Sequence, residues 1–183
     1  HLSSVPDNPA REKLLACYEQ LEPLFWDAID PKAVIAFSRA PELLEGRFLQ
    51  TGDAVAYVMS TLGGGVERLA KQYAARREML YTMALHAMAD TYLSGMEREL
   101  LAAVDSACKT RGVKAQRWLE APRHLPIQAQ EIAAQETDAF HLLGVSITDG
   151  RMLCPVNSSW FLLKLIADCA HISCPNRNSN GSI

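Results

Sequence analysis

Gly112-Val-Lys-Ala-Gln-Arg117-Trp-Leu-Glu-Ala-Pro122-Arg-His124-Leu-Pro126-Ile-Gln-Ala-Gln130 is followed, after a short helical segment, by Leu143-Gly-Val-Ser-Ile-Thr-Asp-Gly-Arg-Met-Leu-Cys-Pro155 and Val156-Asn-Ser-Ser-Trp160. The stretch reads as strand, proline-punctuated loop, helix, hairpin, helix. Lys114–Leu119 predicts a strand. Pro122 and Pro126 push their preceding residues out of the helical region, so the segment after the strand is a loop. A loop carried between rigid elements is a natural place to meet a ligand. Pro126–Glu136 predicts a helix with proline in its first turn. Gly144–Thr148 and Arg151–Cys154 are expected to pair across Asp149-Gly150, the strongest short hairpin signal in the chain. Ser158–Asp168, with Trp160, Phe161, Leu163, Leu165 and Ile166, is expected as a final helix.

Upstream, residues 8–27 read as a helix, with Leu14, Leu15, Tyr18, Leu21, Leu24 and Phe25 at helical spacing. Pro23 should end or kink it. Lys32–Ser38 and Asp53–Thr61 are short, β-branched runs and predict strands. Gly63-Gly64-Gly65 opens a helix over Val66–Arg77. Such a run either brings backbone N–H groups to an anion or makes a plain tight turn; it lacks the Lys-Ser/Thr ending of a phosphate-binding loop. Met79–Arg111 is the longest helical pattern, with Tyr81, Leu85, Met88, Tyr92, Met96 and Leu100 on one stripe. At that length a bend is expected near Ser94-Gly95, and Gly112 suits the position just past its end. Strands and helices interleave without regular βαβ alternation. The expected fold class is therefore α+β, a twisted antiparallel sheet with packed helices.

The 183 residues carry 18 basic and 21 acidic side chains, a net charge of -3, with 49% hydrophobic residues. Such a chain can bury a full core. The charge balance gives no support for nucleic-acid binding, and no apolar run approaches the roughly 20 residues of a membrane span. Five cysteines do not make a disulfide scaffold at this length. A cytoplasmic location with reduced thiols is the expectation, and no secretory leader is read at the start.

In order and in wording the chain resembles the activation (reactivation) domain of cobalamin-dependent methionine synthase, and more closely the short free-standing relatives of that domain. The resemblance spans roughly residues 30–177. It rests on Thr61-Leu-Gly63 before a helix, on the long helix ending Thr110-Arg-Gly112, and on the strand carrying Arg117. It continues with Pro126-Ile-Gln-Ala-Gln130, like the family's Pro-Leu-Glu-Glu-Gln, and with Leu143–Pro155 before Asn157-Ser158-Ser159. The resemblance implies an activation-domain-like unit over residues 31–177, which apolar spacing precedes with an N-terminal helical segment over 1–30 and polar composition follows with an expected frayed tail over 178–183. It also implies S-adenosylmethionine as ligand, a corrinoid-binding protein as partner, and docking over that partner's cobalamin in support of its reductive methylation. That role makes the chain a participant in cobalamin-dependent methyl transfer, in methionine biosynthesis.

The family's ligand loop has the form Arg-x-x-Pro-Gly-Tyr. Arg117 matches its arginine, while Glu120, Ala121 and Pro122 stand where Pro-Gly-Tyr is expected. The implied ligand-binding set is Arg117, Trp118, Glu120, Ala121 and His124. Read on their own, Arg117 is either a carboxylate ligand or an ordinary ion-pair partner, and Trp118 either a stacking platform or core. Glu120, Arg123 and His124 line a ligand loop or are solvated charges. His86 and His141 read as partly buried, satisfied histidines. Free-standing relatives end in a cysteine-rich tail, which Cys169-Ala-His171-Ile-Ser-Cys174-Pro-Asn-Arg177 matches in part. Cys169, Cys174 and His171 are candidate metal ligands, or a disulfide, or inert thiols; three ligands fall short of a closed zinc site. No catalytic triad, carboxylate pair or dinucleotide fingerprint is visible. Two alternatives therefore stand beside the ligand-binding reading. One is a non-catalytic interaction module for a corrinoid protein, and the other a small metal- or ligand-binding protein on the same scaffold.

Overall fold

A computed structural model describes residues 9–168. The elements run α1 (Pro9–Ala28), β1 (Lys32–Arg39), a 3-10 turn (Glu42–Leu44), β2 (Ala54–Thr61), α2 (Gly65–Ala75) and α3 (Met79–Lys109). There follow β3 (Val113–Leu119), α4 (Ala129–Glu136), α5 (Ala139–Leu143), β4 (Ser146–Ile147), β5 (Leu153–Cys154) and β6 (Ser158–Ala167). The fold is α+β. Its main sheet has four strands in the order β1-β2-β6-β3, antiparallel throughout, and β4 and β5 form a separate two-stranded sheet.

Strict alternation along the strands covers the sheet on both faces. Val55, Tyr57 and Met59 of β2 with Leu162 of β6 point to one face, under α4, α5 and the 40–49 segment. Ala56 and Val58 with Phe161, Leu163 and Leu165 point to the other, against Val104 and Cys108 of α3. A second core lies beside the sheet, where Cys17, Leu21 and Phe25 of α1 meet Val66 and Ala70 of α2 and Leu85, Ala89 and Leu93 of α3.

One element changes class. Ser158–Ala167 is not a helix but the longest strand, paired with β2 on one side and β3 on the other. Trp160 to Leu165 are apolar apart from Lys164 because a central strand buried on both faces has no polar side to show. α1 runs through Pro23 to Ala28. Pro23 and Glu19 both face solvent, so water can satisfy the carbonyl that the proline leaves unpaired. α3 is one uninterrupted 31-residue helix across Gly95. The hairpin forms, with Ser146 opposite Cys154 and Ile147 opposite Leu153. Its turn is longer than two residues and holds Arg151 in the left-handed region at φ 57°.

The glycine run proves to be a packing device. Gly63 is left-handed (φ 71°), and a Cβ at Gly65 would sit 1.8 Å from the Ala28 carbonyl oxygen. The end of α1 thus lies against the start of α2, and the tight-turn reading of the run holds.

Candidate functional site

The strand β3 carries one extra residue. Ala115 pairs with Leu165 and Arg117 with Lys164, so Gln116 is bulged out. A bulge shifts the side-chain alternation by one. Without it, Arg117 would point with Ala115 towards α3. With it, Trp118 takes that side and stacks on Phe161, ring centroids 3.8 Å apart and planes 16° from parallel. Arg117 is turned to the opposite face, exposed, beside the 40–53 connection between β1 and β2.

There its guanidinium lies 4.8 Å from the centre of the Phe48 ring. The Arg47 guanidinium is 5.4 Å from the same ring, and His124 meets it edge-on at 5.5 Å. Phe48 is half-buried and fixes three nitrogen-bearing side chains around one point. Among the described residues neither Arg47 nor Arg117 has a carboxylate partner. The neighbouring Lys164 is neutralised: Asp53 lies 2.6 Å from its ammonium. That hydrogen bond, with a second from the Gln50 backbone N–H, holds the Asp53 carboxyl below the ordinary carboxylate range.

The loop after β3 is closed by its own hydrogen bonds. The Glu120 carbonyl accepts from the backbone N–H groups of His124 (2.8 Å) and Leu125 (3.2 Å). The Glu120 N–H donates to His124 Nδ1 at 3.3 Å, so a neutral His124 carries its proton on Nε2. Leu125 anchors the loop in the core, the Ala121–Pro122 bond is cis, and the Arg123 guanidinium is 3.6 Å from the Glu120 carboxylate. Chemically the cluster is a cationic corner with an aromatic floor, suited to a carboxylate or another planar anion.

Of the sequence-derived set, Arg117 and His124 meet at Phe48, and Glu120 and Ala121 belong to the loop that carries His124. Trp118 faces the other side as core. Arg47 and Phe48 were not legible as members, because only tertiary folding brings them across from the β1–β2 connection. Cys169, His171 and Cys174 lie outside the described residues. Cys154 is exposed and free, and Cys17 and Cys108 are buried, with burial pushing both thiols up. Among the described residues no three metal-ligating side chains converge, and no helix is long and apolar enough to cross a membrane. His86 and His141 are exposed rather than partly buried, His141 with Nδ1 2.6 Å from Asp138.

Two of the motif words meet away from this corner. The Leu62 N–H donates to the Asn157 carbonyl at 2.9 Å, and the Ser158 hydroxyl is 2.8 Å from that of Thr61. Thr61-Leu-Gly63 and Asn157-Ser158 therefore tie β2 to β6 at one sheet end.

No family model matches the chain, and no curated protein matches it. Among solved structures it is similar to the crystal structure of the MetH reactivation domain bound to AdoHcy. The two are 10% identical with a TM-score of 0.57, over 86% of this chain and 67% of that one. At that identity the likeness establishes a shared fold.

Proposed function

We propose that the chain binds S-adenosylmethionine, or a close relative of it, at the Arg117 corner, and that this corner faces the cobalamin of a corrinoid-binding partner. The observation that carries the reading is the Arg117 guanidinium, set over Phe48 without a carboxylate of its own, beside a loop that is already closed. A methionine moiety leaving water needs its carboxylate paired, because an unpaired charge taken out of water is costly. Arg117 offers a two-pronged donor for it, Arg47 adds positive charge nearby, and His124 Nε2–H is a further donor. Trp118 serves by locking the strand rather than by touching the ligand. A bound sulfonium supplies an activated methyl group; the chain's own part is to hold and orient it. The likeness in fold to a domain solved with AdoHcy supports this ligand class, and the ordered motifs support a corrinoid partner.

Calorimetric titration tests the reading. Arg117→Ala should weaken binding roughly tenfold to a hundredfold, the worth of a charge-assisted bidentate pair. Arg117→Lys should recover only part of that. Equal binding by Arg117→Ala would put the pocket elsewhere. Ala121 and Pro122, which replace a glycine and a tyrosine of the family loop, favour a second reading, an interaction module without the ligand. Absence of binding by the unaltered chain at millimolar ligand would select it.

A further inference from the structure

A cavity lies away from the Arg117 corner, in the groove between α1 and α3. It is an open groove of about 570 Å³, the size of a small-molecule site. Phe25, Trp26 and Tyr92 meet edge-to-face there, Trp26 and Tyr92 with ring centroids 5.5 Å apart. Trp26 is left 51% exposed, and Met88 and Met96 complete the apolar wall.

Two observations say what the groove takes. Glu19, Glu22 and Glu99 line it, no Lys, Arg or His does, and none of the three has an ion-pair partner among the described residues. The lining is aromatic and anionic, the combination that holds an organic cation through ring faces and charge. The second observation is Gly95. It stands inside a 31-residue helix, where glycine costs about 1 kcal/mol against alanine. A Cβ there would meet nothing within 4 Å, so packing does not require the glycine. It is also a lining residue, and its missing side chain keeps the groove open.

We infer that the α1–α3 groove is a binding site for a small organic cation with an apolar body, a quaternary ammonium compound carrying an alkyl group. The site shares no residue with the Arg117 corner, so the two readings stand or fall separately. The experiment titrates the full chain with octyltrimethylammonium and, in parallel, with octanesulfonate, both below micelle formation, following tryptophan fluorescence and calorimetry. The ammonium should bind in the micromolar to sub-millimolar range and more weakly as salt is raised; the sulfonate should not. Gly95→Leu should abolish binding, with the fold checked by circular dichroism. Glu22→Gln and Glu99→Gln, which preserve volume, should each weaken it roughly two- to fivefold. Equal binding of ammonium and sulfonate would overturn the cation assignment. Undiminished binding by Gly95→Leu, or no ammonium binding at all, would overturn the site.

Discussion

Arg117 and Trp118 adjoin in sequence yet face opposite sides of the sheet, and the bulge at Gln116 decides which goes where. One residue fewer would bury a guanidinium against α3 and expose an indole. Tyr57 shows the same sensitivity from the buried side. It is fully enclosed on β2, and its hydroxyl finds no partner among the described residues. Burial, with a lesser contribution from the Glu136 charge, pushes its pKa up to about 12. The unfolded chain ionises its tyrosines near pH 10. Stability contributed by a neutral Tyr57 is therefore complete below pH 10 and lost as pH rises towards 12, on the order of 2 kcal/mol. Urea denaturation across that range should show a steeper alkaline loss in the unaltered chain than in Tyr57→Phe. At neutral pH the variant should be as stable or up to about 1 kcal/mol more stable, since it removes an unsatisfied hydroxyl. A loss above 1 kcal/mol would mean that the hydroxyl has a partner.

At the scale of elements, close approach and burial decide what local pattern leaves open. Gly65→Ala should force the end of α1 away from α2, costing about 1–3 kcal/mol by denaturant titration. An unchanged midpoint would contradict the packing described. The first two strands and the long helix were legible because each shows its period or its β-branched residues plainly. β6 was not. Its leucine-rich run reads as helix locally, and only two flanking strands and two covered faces make it a strand. At the candidate site Arg117 and the loop after it were legible from motif order. Arg47 and Phe48 were not, since no local signal joins residues some 70 positions apart in sequence. The bulge that aims Arg117 has no sequence signature either.

As a whole, the molecule is built on three cores. One core holds α4 and α5 on the sheet, another holds α3 beneath it, and a third binds α1 and α2 to α3. The Arg117 corner sits at an edge of this frame, where residues from β3, the following loop and the β1–β2 connection converge. Rigid elements bearing a closed loop should bind without large rearrangement. The most direct test is an amide NMR titration of the full chain with S-adenosylmethionine. Shift changes confined to residues 47–48 and 117–125 are the expected result. Saturating changes elsewhere, with these amides unmoved, would contradict the assignment of the ligand to this corner.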